Sequence, residues 1–433
     1  MKTRIVLASL WAATSVFADG IWLSPTNSLN YLGQQTDFGG GTMDNPYYGD
    51  FDYIFSHLVP TNTIVHLGPG TFWTKGVNGI NANEFEIPAG VTVEGDGEAF
   101  TTIRRATNFA GYVQKNVDVL ISGSSNVTVR DLTIDCNAFD FYSRNWSNSI
   151  GGIDLTGSGE TIEHVTEING LGFRYAPEGF QLSVGGYGQG GNKVIGCTVS
   201  NFLGTYGDGV APTGDCVVEG NQVYFPQQPA GVPWRPLFGI NVVASSKGST
   251  VTGNHVDGGG DGFHNDTGGD TNLVIANNVF ENVCEGVALT GDQYPYASVI
   301  ISHNLMLQQT NYTTFHDQMF MILIATTQAG QTNQNIAVDG NIISYYKDVP
   351  FTSDGSQGAI FTYNGTNGGP NQLNKNLSIV NNQIDARMPV SFAGNISNLY
   401  ASGNVPLNGT NFATANGNPG LTNVIGSQAR SQQ

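Results

Sequence analysis

Charge is what this sequence has least of: Asp, Glu, Lys and Arg together make up only 12% of its 433 residues. Positive charge is scarcest, with 16 Lys and Arg against 34 Asp and Glu and a formal net charge of −18. A surface of that sign repels nucleic acid and anionic membranes, which excludes both as partners. It also opposes gripping a polyanion by simple attraction, unless bound cations bridge the two. Long apolar runs are missing too. After Phe17 nothing approaches the roughly 18 apolar residues that a membrane span needs. The four cysteines (Cys136, Cys197, Cys216, Cys284) match no zinc or redox spacing. Three pairings are open to them, and the expectation is one disulfide or none, with the thiols buried.

The beginning of the chain has its own pattern. Lys2 and Arg4 precede an apolar run over residues 5–17, and Val16 and Ala18 stand at the −3 and −1 places of a cleavage site. This reads as a secretory signal peptide cut after Ala18, which sends the chain to the periplasm or the exterior.

What the sequence has in plenty is glycine (58 residues) and a repeat. Val251-Thr-Gly-Asn254-His-Val256 is followed by Asp261-Gly-Phe263, and Ile275-Ala-Asn-Asn278-Val-Phe280 is followed by Glu285-Gly-Val287. Short period-2 apolar runs between Gly, Asn and Asp clusters are strand signals. A unit of about 23 residues repeated along a chain signals a solenoid. The first strands end in a six-residue frame whose fourth places are Leu132, Val165, Cys197, Asn221, Asn254, Asn278, Asn304, Asn341, Asn382 and Asn404. Asparagine carries both the donor and the acceptor needed to bond the copies above and below it, so this column is expected to be structural. Residues 48–58 show apolar residues at roughly helical spacing before Pro60, and residues 63–67 read as a strand. Together they suit a cap over the first open edge. The expected division is 1–18 signal, 19–90 cap and first strands, 91–404 coils, and 405–433 tail.

With its Asp37-Phe-Gly loop, its Gly68-Pro-Gly-Thr-Phe72 turn and its Asn-laddered coils, the chain resembles the pectate-lyase-like superfamily from about Trp22 to Asn404. That resemblance implies an all-β fold, a single-stranded right-handed parallel β-helix of about ten coils with an N-terminal helix/strand cap. It also implies a secreted protein that handles polysaccharide along one long face. The superfamily includes pectate lyases, polygalacturonase-like hydrolases, alginate epimerases and phage tailspikes, and fold alone does not choose among them.

Chemistry is expected where acidic residues precede the second-strand glycines: Glu178, Asp208, Asp261 and Glu285, with Phe238 in the same place of the intervening coil. Rungs of a parallel stack lie about 4.8 Å apart, so neighbouring and next-nearest coils bracket the carboxyl separations of retaining and inverting glycosidases. The bland reading of such a residue is a turn former that bonds nearby amides. Beside this stripe an outward row carries Asp154, Gln181, Asn241, His264 and Asp266, the last two sharing a face because they are two apart. An imidazole beside a carboxylate can act as a base or bind sugar hydroxyls. The insertions over residues 225–237 and 292–297 bring Trp234, Arg235, Tyr294 and Tyr296 as groove walls, since aromatic faces stack on sugar rings.

The catalytic candidates are therefore Asp208, Asp261, Asp266, Glu285 and His264. The substrate-binding candidates are Asp154, Glu178, Gln181, Asn241, Arg174, Arg235, Lys247, Trp234 and Tyr294. A glycoside hydrolase, which needs no cofactor, is preferred because carboxylates outnumber cations on this face. The alternatives are a Ca²⁺-assisted uronate lyase of pectate-lyase type and a non-catalytic glycan-binding or surface-structural β-helix. Polygalacturonase-like hydrolases carry Asn-Thr-Asp, Asp-Asp, Gly-His-Gly and Arg-x-Lys on successive coils. This chain has Pro177-Glu178-Gly179, Gly207-Asp208-Gly209 and Gly262-Phe263-His264, with no Arg-x-Lys after them. That departure speaks against polygalacturonase activity itself. The chain also lacks the Asp-rich calcium cluster and catalytic Arg of the classical pectate lyases.

Overall fold

The computed structural model describes residues 20–422 apart from 78–84, 108–116, 139–148, 173–179, 187, 203–206, 226–236, 244–245, 266, 292, 309–319, 327–329, 345–358, 365–372, 387–389, 394, 408–412 and 416–420. One turn of the chain shows the plan. Asp215–Glu219 and Gln222–Tyr224 form two short strands that meet at a corner, and Leu237–Asn241 forms the third. Each strand then pairs in parallel with its copy one turn on, Thr250–Thr252, His255–Asp257 and Asp261–Asn265. Repetition builds a 24-stranded sheet from the first two strands and an 11-stranded sheet from the third. The fold is a right-handed parallel β-helix.

The corner explains why the repeat is legible. The residue before each ladder place has a positive φ, between 48° and 67°, from Asp131 and His164 through Gly220, Gly253 and Asn277 to Gly403. Glycine and asparagine tolerate that left-handed conformation best, which is why most of the column is built from them. The ladder residue that follows faces inward. Asn278 Oδ1 accepts from both the backbone N–H and Nδ2 of Asn254, each at 2.9 Å. Its own Nδ2 donates to Val251 O and to Asn304 Oδ1, again at 2.9 Å. The same pattern runs from Cys197, whose N–H donates to Asn221, to Asn404 at the far end.

Between the sheets lies a column of aliphatics in register, including Val129, Ile162, Val194, Val218, Val251, Ile275, Ile301 and Val338, all buried. All four cysteines are free thiols inside the stack. At the N-terminal end the helix spans Phe51–Leu58 rather than starting at Tyr48. Tyr48 and Gly49 instead pair antiparallel with Asp37 and Phe38, and Asp50 caps the helix by accepting from the Tyr53 N–H. Phe51 and Phe55 pack against Phe85 beside the first coils.

Several acidic side chains are buried in this body. Burial pushes Asp52 up to about 7 and Glu167 up to about 8, and Asp270 up to about 6. The Cys136 thiol, donating to Glu167 Oε1 at 3.1 Å, offsets only part of the effect. A carboxyl raised in the folded state keeps its proton where the unfolded chain has lost it. Its contribution is complete below the unfolded value and disappears as pH rises through the folded one. Stability is therefore expected to fall between pH 5 and pH 8. Thermal melts across that range should show Glu167→Gln with a flatter decline. The difference should reach a few kcal/mol, since each tenfold change in proton affinity is worth about 1.4 kcal/mol.

Candidate functional site

Four glycines set up the outer face of the 11-stranded sheet. A Cβ on Gly209, Gly239, Gly262 or Gly286 would point inward and collide with Val223, Val256, Phe280 or Met306 respectively. The residue after each glycine, such as Phe263, is also buried in the core. Two successive residues thus face inward, which breaks strict alternation. As a result the side chains three apart, before and after the pair, share the outer face. Asp261 and His264 do so: the imidazole Nδ1 and the carboxylate Oδ2 are 2.5 Å apart.

Register then assembles the site across coils. Asp208 pairs with Phe238, Phe238 with Asp261, and Asp261 with Glu285, so these four places of the stripe read from the sequence are in line. Asn241 stands in register with His264, and His264 with Ala288. Asn241 Nδ2 donates to Asp208 Oδ2 at 3.1 Å. The Phe238 ring lies flat on His264, with centroids 4.0 Å apart and planes 16° apart. Burial, and then the negative charge of Asp261, hold the half-buried Glu285 carboxyl well above the ordinary carboxylate range; His264 pulls the other way. Two adjacent carboxyls, one holding its proton and one bonded to an imidazole, are what acid–base chemistry on a bound substrate requires.

Not every expected member is there. Gln181 does not face outward. Phe180, not Glu178, is the partner of Asp208, so Gln181 occupies the inward place that glycine fills in neighbouring coils. It is fully buried, and its amide nitrogen donates to Glu167 Oε1 at 3.0 Å. Tyr296 is no groove wall either: it is buried, with its O–H donating to Asn265 Oδ1 at 2.8 Å. Asp208 and Asn241 are fully buried rather than presented on an open row. Asp154 is half-buried, Lys247 is exposed, and Tyr294 is exposed in register with Gly268. Glu178, Arg174, Trp234, Arg235 and Asp266 lie outside the described residues.

One acid escaped sequence reasoning. Asp118 pairs with Gly151, on the strand of Asp154, and lies over that glycine where any Cβ would collide with its carboxyl. Burial first, and then the charge of Asp154, push it up to about 8. No glycine follows Asp118, so the signal that marked the other acids is missing there. Among the described residues, no group of three or more His, Cys, Asp or Glu is set to hold a metal ion. No helix among them is long and apolar enough to cross a membrane.

No protein-family model matches the chain, and no curated protein sequence does. Solved structures do match its shape. The Dettilon tailspike protein superposes with a TM-score of 0.52 at 15% identity, over 82% of this chain. This chain spans 62% of the tailspike. PfbA, a surface adhesin of Streptococcus pneumoniae, gives 0.51 at 13% identity, over 78% of this chain and 83% of the adhesin. The family 28 exopolygalacturonase of Yersinia enterocolitica gives 0.50 at 11% identity, over 87% and 74%. At these identities the likeness is one of fold. In fold, the chain is a right-handed parallel β-helix, as these structures are.

Proposed function

We propose that this protein is a secreted polysaccharide-cleaving enzyme that works by hydrolysis on a glycan lying across the outer face of the 11-stranded sheet. The observation that carries the reading is the Asp261–Glu285 pair, in register on adjacent coils, with His264 bonded to Asp261. Glu285, which keeps its proton, serves as the acid that protonates the leaving glycosidic oxygen. Asp261, held by His264, supplies the second carboxylate. That one of the structures sharing this fold is an exopolygalacturonase by name supports a polysaccharide as substrate. The signal-like segment over residues 1–18 supports action outside the cytoplasm.

The spacing carries a stereochemical consequence. One rung is about 4.8 Å, close to the 5–5.5 Å of retaining glycosidases, whereas Asp208 lies two rungs from Asp261. The first product is therefore expected to keep the anomeric configuration of the substrate, as read by proton NMR during early turnover. Inversion would displace Asp261 as the second carboxylate. The broader test is a panel of plant, algal and microbial polysaccharides, followed for reducing ends and for unsaturated products in parallel. Hydrolysis yields new reducing ends alone. Unsaturated uronates whose formation stops on chelation would replace this reading with Ca²⁺-assisted elimination, and tight binding without any product would replace it with a glycan-binding module.

A further inference from the structure

The acidic row is interrupted at one coil. Asp208, Asp261 and Glu285 occupy the same register place on their strands, and the coil between the first two presents Phe238 there instead. The Phe238 ring does not fill the core. It belongs to the outer-facing row, is nearly fully buried, and lies flat against the imidazole of His264. Polar groups stand on its two sides. Asp208 receives the amide of Asn241, and His264 bonds to Asp261 on its own strand.

We propose that Phe238 is a positioning residue: its ring stands between Asp208 and Asp261 in the row and fixes the His264 ring plane so that the imidazole serves Asp261. A flat ring against one face of an imidazole restricts its rotation and excludes water from that face. In its absence nothing on the strand of Phe238 but Asn241 would stand between the imidazole and the carboxyl of Asp208, in a setting where a carboxylate raises the titration point of a histidine. Asp261 is the remaining charged group on the strand of His264. Glu285 faces the pair from the next coil, and the strand of Phe238 contributes no charge of its own. The inference deepens the hydrolase reading, but the arrangement it describes is measurable without any substrate.

The test uses the full chain with histidine labelled for NMR. Phe238→Leu keeps an apolar side chain and loses the flat face, whereas Phe238→Tyr keeps the face. In Phe238→Leu the His264 Nδ1 proton is expected to exchange with water about tenfold faster, and Phe238→Tyr should restore slow exchange. Asp208→Asn should move the His264 titration by less than about 0.2 pH unit in the parent, but by more than about 0.5 in the Phe238→Leu background. If Phe238→Leu leaves both the exchange and the titration as they are, Phe238 is packing only and the proposal is overturned. Equal effects of Asp208→Asn in both backgrounds would overturn it as well. These outcomes hold whether or not any polysaccharide is cleaved, so failure of the hydrolase reading is seen separately, in the product assay.

Discussion

Glu285→Gln is expected to lower polysaccharide cleavage by about a thousandfold while leaving the fold intact, within the 10²–10⁴ range for losing a positioned general acid. The amide copies the shape of the protonated carboxyl and carries no charge, so it sits as comfortably beside Asp261 as the acid does. It has no proton to give to a leaving oxygen. Initial rates of reducing-end release, set beside thermal melts of the same samples, separate the two effects. Asp261→Asn should behave differently, because it removes the charge and leaves only a neutral amide oxygen to hold His264 Nδ1. That variant is expected to lose activity and some stability together. The pH profile of the parent has a definite sign. Because Glu285 must be protonated to act, activity is lost as pH rises through its elevated titration point, and Glu285→Gln should abolish that alkaline limb.

The second large effect falls on stability. Asn278→Ala leaves the Asn254 N–H without its acceptor and removes one bond each from Asn254 Nδ2, Val251 O and Asn304 Oδ1, all deep in the stack. A buried N–H left unpaired costs about 1–3 kcal/mol and each further bond lost about 0.5–1.5 kcal/mol, so a loss of about 3 kcal/mol or more is expected. Asn376 provides the control. It belongs to a column with Asn335 and Asn398 at an exposed corner, where water can replace its bonds. Asn376 is left-handed (φ 57°), so the control is Asn376→Gly, which keeps that conformation and should cost no more than about 0.5 kcal/mol. Urea unfolding of both variants decides the point. Equal losses would mean that the inner ladder is no more than a register of convenience.

The same ladder shows why so much of the fold could be read from residues alone. A solenoid corner needs a left-handed residue followed by an inward amide, and Gly220-Asn221, Gly253-Asn254 and Asn277-Asn278 write that requirement directly into the chain. The site was legible only where a glycine marked the inward place. It put Asp208, Phe238, Asp261 and Glu285 in line, and it failed at Gln181, whose own side chain turns inward to meet Glu167. Gly179 was thus a false anchor, two residues out of step. The partner of His264 was hidden for a related reason. Alternation sets residues three apart on opposite faces, so Asp266 looked like the neighbour, whereas the doubled inward step at Gly262 and Phe263 brings Asp261 round instead. Tyr296 was invisible for another cause: an aromatic with a polar tip reads equally well as a surface platform or, as here, as a core residue with a buried acceptor.

The most direct test is the crystal structure of Glu285→Gln grown with an oligosaccharide of whichever polymer the panel shows to be cleaved. The sugar chain should cross the outer face of the 11-stranded sheet, with its scissile oxygen within hydrogen-bond reach of residue 285 and its anomeric carbon facing Asp261. An oligosaccharide seated on the other sheet, or on this one with both residues out of reach of its glycosidic bonds, would contradict the account.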